Sequence, residues 1–306
     1  MNATRMVVAG SANIDLVTRV PRSPKPGESL IGKSFATITG GKGANQAVAA
    51  ARLGTSVAFL GCVGNDAFGE LQRQSLREAG VDVSHLKVHP SEPTGTAVIL
   101  VADEGQNSIV VTPSANYGLV PKDITALESV IAAADVLLLQ LEIPLATVEA
   151  ALDLARRHGV LSILDAGPAQ PVSADMVAKA DIVSPNETEA EAITGIKVAT
   201  VDDARAAAER LRAMGAPEVV MKLGANGSLY LGEEEHYAPP FQVNAVDTTA
   251  AGDAFTAALG AMWKRVSVAE ALRFANATGA LAATVAGAQP SMPRRDAVEA
   301  FLAQHA

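Results

Sequence analysis

GGKGANQAVAAARLGTSVAFLGCVGNDAFGELQRQSLREAG, residues 40–80, decides the fold. Gly40, Gly41, Lys42 and Gly43 open an Ala-rich helix that stops at Gly54. An apolar strand from Val57 to Cys62 comes next, then a helix from Ala67 to Ala79 with Gly80 as its cap. Upstream, Met6 to Ala9 forms a first buried strand that ends at Gly10 and delivers Asn13 and Asp15 beyond its carboxyl end. Strand, helix, strand, helix is the pattern of a doubly wound, three-layer α/β/α sandwich with a mostly parallel central sheet. Ligands of such sheets bind at the carboxyl ends of the strands.

The alternation resumes downstream. A helix over Asp123 to Ala133 leads to a strand from Val136 to Leu141 and a helix from Pro144 to Arg157, with Gly159 just past its end. Strands follow at Leu161 to Leu164 and Asp181 to Val183, then a helix from Asp202 to Met214 and strands at Glu218 to Leu223 and Ser228 to Leu231. Helices over Val268 to Val285 and Arg294 to Gln304 close the chain. Two excursions break the pattern. Leu16 to Thr39 is proline-rich and loosely alternating, and Thr94 to Asn116 reads as a hairpin about Asp103 to Gln106. Paired, they would form a small β-sheet lid, made by residues 16–39 and 94–113 within one α/β domain spanning 1–306. The first excursion contains Gly27 to Ser34, which satisfies GxxxxGK[ST] letter for letter. Prolines precede it and an alternating segment follows, so the strand and helix of a working P-loop are absent.

Composition narrows the function. Net charge is −9 with a pI near 5.1, which argues against nucleic acid or an anionic membrane surface as partner. Aromatic residues are only 4%, too few for a base-stacking platform. The single cysteine, Cys62, lies in an apolar run and reads as a buried structural thiol. The five histidines show no HExxH or clustered spacing, so no dedicated zinc site is expected. No signal peptide or spanning segment is visible, and the expected location is cytoplasmic.

Chemistry-bearing residues recur after strands. In NAVDTTAAGDAFTAALG, residues 244–260, the amides of Ala250, Ala251 and Gly252 open a helix and can face an anion, and Asp253 follows in the first turn. An oxyanion site next to a base suits phosphoryl transfer, although a plain N-terminal Asp after a glycine turn is equally compatible. Lys42 and Asn45 supply donors at the earlier helix mouth. Asn186 and Glu189 read either as a helix cap or as ligands, and Glu142 before Pro144 as a ligand or a solvated charge.

GSANID, GGKGANQAVAAARLG, TGTAVILV, QLEIP, PNETEAEAITG, KLGANG, DTTAAGDAF and GAQPSMP, in this order, resemble the PfkB sugar-kinase family, its ribokinase branch most closely. The resemblance runs from about Val7 to Phe301 and implies a ribokinase-like fold and ATP-dependent phosphorylation of a free sugar hydroxyl, O5 when the sugar is ribose. It implies Asp253 as base, the Ala250, Ala251 and Gly252 amides as anion hole, and Asn13, Asp15, Gly41, Lys42, Asn45 and Glu142 as sugar ligands. Asn186 and Glu189 would organise Mg2+ and phosphate, with Lys222, Gly224, Gly227 and Asn276 beside the nucleotide. Asp247, Thr249, Ala282, Val285, Gly287 and Ser291 match the family's monovalent-cation loop, for K+, and the lid sheets imply a homodimer. Fructokinase, deoxyribokinase, nucleoside kinase and a non-catalytic sugar-responsive regulator are the alternatives. Three departures stand out: Lys222 where Thr is common, Asp165-Ala166-Gly167 for Asn-Pro-Ala, and Ser114 for Gly.

Overall fold

The computed structural model describes residues 3–104 and 106–305. Gly105 in the expected hairpin turn and the extreme ends of the 1–306 span therefore lie outside the described residues. The chain runs through β1 (Arg5–Ala9), β2 (Asn13–Val20), β3 (Ser34–Gly40), α1 (Lys42–Arg52), β4 (Ser56–Leu60), β5 (Cys62–Gly64), α2 (Ala67–Glu78), β6 (Lys87–His89), β7 (Gly95–Ala102) and β8 (Asn107–Thr112). It continues through α3 (Pro121–Ala126), α4 (Glu128–Ala132), β9 (Val136–Leu139), α5 (Leu145–His158), β10 (Leu161–Asp165), α6 (Ala174–Lys179), β11 (Ile182–Ser184), α7 (Glu187–Thr194) and α8 (Val201–Ala213). The last elements are β12 (Glu218–Lys222), β13 (Ser228–Leu231), β14 (Glu235–Ala238), α9 (Ala251–Met262), α10 (Val268–Ala283) and α11 (Arg295–Gln304).

Eight strands form the main sheet in the order β14-β13-β12-β11-β10-β9-β1-β4. From β4 to β12 every pairing is parallel, and only β13 and β14 run antiparallel, at one edge. Because side chains alternate along a strand, each apolar strand feeds two cores. Met6, Val8, Leu138 and Val220 join α1, α9 and α10 on one face. Val7, Leu137, Leu139, Val219 and Met221 join α3 to α8 on the other. The alanine richness of α9 has a steric cause. At Gly260 an added Cβ would meet Met6, Leu138 and Val136 at 3.0, 3.1 and 3.4 Å, so small residues let the helix lie close on the sheet.

A second sheet takes the order β3-β2-β7-β8, which brings the two excursions together. Its β2 starts at Asn13, earlier than the expected Leu16, and Asn13 pairs with both Gly40 and Gly95. The residues delivered by β1 are thus the root of this sheet. Ser34 leads into β3 and no helix follows it, while Lys33 forms an exposed ion pair with Asp103 at 2.5 Å. The P-loop lookalike is surface loop and strand.

Local structure departs from the sequence reading in further places. The strand expected to reach Cys62 ends at Leu60, because Gly61 turns the chain and Cys62 begins β5, which pairs with β6 in its own sheet. Burial pushes the Cys62 thiol up to about 11, in keeping with a structural role. The helix expected over Asp123 to Ala133 is interrupted at Leu127 into α3 and α4. The strand expected to reach Leu141 ends at Leu139, and β6, α6 and β14, too short to show a period, were not expected. No described helix is long and apolar enough to cross a membrane.

Candidate active site

The β1–β2 turn and the start of α1 are packed backbone to backbone. A Cβ on Gly43 would lie 2.7 Å from the Gly10 Cα, and Gly41 holds a φ of 88° with the Asn13 nitrogen 2.6 Å from where its Cβ would be. That approach brings Ser11, Asn13, Asp15 and Lys42 together. Glu142, from the loop after β9, accepts from the Ser11 hydroxyl at 2.5 Å and from the Lys42 N–H at 3.1 Å. Asn116 receives the Ala12 N–H at 2.8 Å and donates to the Asn13 Oδ1 at 2.6 Å, leaving the Asn13 amide nitrogen as the outward donor. Burial, reinforced by Glu142 and Asp253, pushes the Asp15 carboxyl up to about 7.

Asp253 lies in the first turn of α9 and is almost fully buried. Ala250 caps the helix in a left-handed conformation, φ 61°, a strained choice for a non-glycine residue. The Ala251 N–H closes onto the Thr248 carbonyl at 3.2 Å, so of the three amides expected to face an anion this one is engaged in the turn. Those of Gly252 and Asp253 belong to the first turn, where the helix offers no carbonyl partner. Asn45 and Gln46 donate to the two Asp253 oxygens at 2.9 and 3.2 Å. Burial raises the Asp253 carboxyl to about 6, with Lys42 opposing and Asp165 adding to the rise.

Behind Asp253 sits a second carboxylate. Asp165, at the end of β10, is wholly buried and accepts from Gln46 Nε2 at 3.0 Å, Thr256 Oγ1 at 2.7 Å, the Gly167 N–H at 3.2 Å and Lys222 Nζ at 2.9 Å. Burial alone would raise it, but Lys222, Lys42 and these hydrogen bonds outweigh burial and hold it ionised. The Lys42 ammonium is opposed by burial too, and Asp253, Asp165, Glu189 and Glu142 together more than restore its charge.

A cavity of about 460 Å³ opens beside these groups, lined among others by Lys42, Asn186, Glu189, Lys222, Gly224, Gly227, the Ala250–Asp253 turn and Asn276. Asn186 and Glu189 form the expected reciprocal cap at 2.9 and 2.7 Å while also facing this cavity. The two readings made from sequence therefore coexist. The Glu189 carboxylate lies 3.8 Å from Lys42 Nζ and 3.6 Å from Lys222 Nζ. Asn276 spends its amide nitrogen on the Ala238 and Pro239 carbonyls at 3.2 and 3.1 Å, which fixes the cavity wall. Asn13, Asp15, Gly41, Asn45 and Glu142 do not line this cavity; Asn45 bonds Asp253 directly, and Asp15 lies close enough to feel the charges of both Glu142 and Asp253. Farther along, Asp247 accepts the Thr249 and Gly287 N–H groups, each at 2.9 Å, tying the 246–249 turn to the segment after α10 that carries Val285 and Ser291, with Ala282 in the last turn of α10. A buried carboxylate in the first turn of a helix, bonded to a polar cluster and beside a cavity lined by two lysines, suits moving a phosphoryl group to an alcohol.

Residues 3–295 match the model of the pfkB family of carbohydrate kinases. The chain belongs to the PfkB family. Within this family it is 42% identical to a ribokinase of Haemophilus influenzae over 98% of this chain and 99% of that one. It is 35% identical to a deoxyribokinase of Salmonella typhi over 97% of this chain and 98% of that one. The fold superposes on the solved structure of Arabidopsis thaliana ribokinase complexed with ribose and ATP, at a TM-score of 0.91 and 35% identity over 98% and 99% of the two chains.

For this PfkB kinase, five contributors to the site escaped the sequence reading: Ser11, Gln46, Asn116, Gln140 and Thr256. Each acts through another residue. Gln140 donates to the Gln46 side-chain Oε1 at 2.6 Å, for example, so that Gln46 Nε2 can face Asp165 and Asp253. Gln46 was visible in principle, one helical position after Asn45 in a glycine-led helix. Asn116 lies at the end of a hairpin and gave no local signal.

Proposed function

We propose that this kinase transfers the γ-phosphoryl of ATP to the O5 hydroxyl of D-ribose. The observation that carries the reading is Asp253, buried at the cavity at the start of α9 and hydrogen-bonded to Asn45, with Asp15 near enough to feel its charge. Similarity to ribokinases supports the substrate. Asp15 would accept hydrogen bonds from adjacent ribose hydroxyls, with Asn13 and Asn45 supplying donors and Glu142 an acceptor. Asp253 takes the proton from O5 as the oxygen attacks the phosphorus. The open amides of α9 and Lys42 stabilise charge on the phosphoryl oxygens, and Gly224 and Gly227 leave room for the nucleotide.

Asn186 and Glu189 offer hard oxygen donors at the cavity wall, and among the described residues no group of three His, Cys, Asp or Glu forms a metal cage. That donor set fits a Mg2+ ion arriving on ATP and held through water, where it would offset phosphate charge. Asp247 keeps unused lone pairs on both oxygens beside the Ala282, Val285, Gly287 and Ser291 loop, which fits K+. Replacing potassium by a bulky organic cation should lower turnover several-fold, and equal rates in either salt would remove that role.

The β3-β2-β7-β8 sheet serves in this proposal as both lid and dimer contact. Its edge strand exposes Ile109, Val110 and Val111, an apolar edge of a kind monomers ordinarily cover. Light scattering should give twice the chain mass, and a monomer at working concentration would reject the contact.

The function is tested by measuring ADP release with ribose, 2-deoxyribose, fructose and nucleosides. Ribose should give the highest kcat/KM, and 2-deoxyribose should lose at least about tenfold, since a buried acceptor is left without its hydroxyl. Turnover of a nucleoside or fructose above ribose would overturn the assignment.

A further inference from the structure

The Lys222 ammonium is placed to do more than hydrogen-bond Asp165. Asp165 already receives three donors, from Gln46, Thr256 and the Gly167 backbone, so its hydrogen bonding is met by neutral groups and only its buried charge calls for a cation. Burying an ammonium is costly unless its charge is used. Lys222 is nevertheless buried at the end of β12, with Nζ 2.9 Å from Asp165 and 3.6 Å from Glu189. The same Nζ lies 3.9 Å from where a Cβ on Gly252 would stand, at the open first turn of α9. It lines the cavity with Lys42, Gly252 and Asp253. Two carboxylates hold two sides of the ammonium, and the third side faces the place where a phosphate would meet the helix.

We propose that Lys222 is a second cationic ligand of the phosphoryl group in transfer, and that Asp165 is the positioning residue that aims it at the first turn of α9. This rests on the kinase reading above and deepens it. Lys42 approaches the same turn from α1, so a phosphoryl seated there is flanked by an ammonium on either side. Asp165 also keeps Lys222 from pairing with Asp253, which would cancel the base. Lysine suits this use because its charge is compact and its stem flexible enough to leave a carboxylate for a phosphate oxygen.

The test separates architecture from chemistry by removing both charges at once. Lys222→Met alone strands a buried carboxylate and should lower the melting temperature sharply, whereas Asp165→Asn/Lys222→Met removes the pair and should melt close to the wild type. With stability restored, kcat of the double variant should remain about 100-fold or more below wild type, with the KM for ribose nearly unchanged. Asp165→Asn alone should lose about tenfold in kcat at unchanged ribose KM. A double variant with wild-type kcat and wild-type KM for ATP would overturn the proposal and leave the pair purely structural. An Asp165→Asn variant with undiminished kcat would remove the positioning role. Should the double variant fail to fold, the wild-type protein with ribose, ADP and tetrafluoroaluminate decides. Lys222 Nζ within about 3.2 Å of a fluoride or β-phosphate oxygen supports the role, and Nζ still on Asp165, beyond contact with either, ends it. Absence of ribose turnover by the wild type would instead sink the kinase reading itself.

Discussion

Asp253→Asn should lower kcat on the order of a thousandfold, about 4 kcal/mol of barrier, while ribose still binds. The amide keeps the shape of the carboxylate, but only its oxygen can accept from Asn45 or Gln46, and it has no basic lone pair for the O5 proton. The loss should therefore fall on kcat, with the ribose dissociation constant from calorimetry moving by less than about threefold. Because burial raises Asp253 only to about 6, the wild type is mostly ionised at neutral pH and the base is ready. A variant within about tenfold of wild-type kcat would take the proton acceptor away from this residue.

Asp15→Asn is the second large effect, and it carries opposite signs for binding and stability. Ribose affinity should fall about 100-fold, because a charged acceptor of hydroxyl protons becomes a half-donor amide beside Glu142. The free protein should become more stable at pH 8. Asp15 titrates at about 7 in the fold, above an ordinary carboxylate near 4, so its contribution to stability is present below about pH 4 and lost as pH rises through about 7. Asparagine escapes that loss, worth on the order of 2 kcal/mol at pH 8 and visible as a higher melting temperature. The same titration should make kcat/KM for ribose fall as pH drops through about 7, with Asp253 adding a further decline near 6. An unchanged ribose affinity, or a flat profile between pH 5 and 8, would contradict the role given to Asp15.

The departures from the family pattern make sense together. Ser114 adopts a φ of 45°, a left-handed value at which glycine is the unstrained choice. Asp165 and Lys222, read separately from sequence, were two unrelated substitutions near the nucleotide. In the fold they are one ion pair, 2.9 Å apart.

What the sequence determined by itself is everything a short window controls. Strand and helix order follow from apolar period and glycine punctuation, and the Asn186–Glu189 cap from two residues three apart. Asp253 at a helix start was legible because its meaning is set by its immediate neighbours, and the decoy at Gly27–Ser34 could be set aside for the same reason. Only the tertiary structure decided that Asp165 meets Lys222, that Asn116 orients Asn13, and that Gln46 serves two carboxylates at once. These contacts depend on the parallel register of β10, β11 and β12 and on how closely α1 and α9 approach the sheet. Such register and approach are fixed by packing the two cores as wholes, and no local run of residues encodes them.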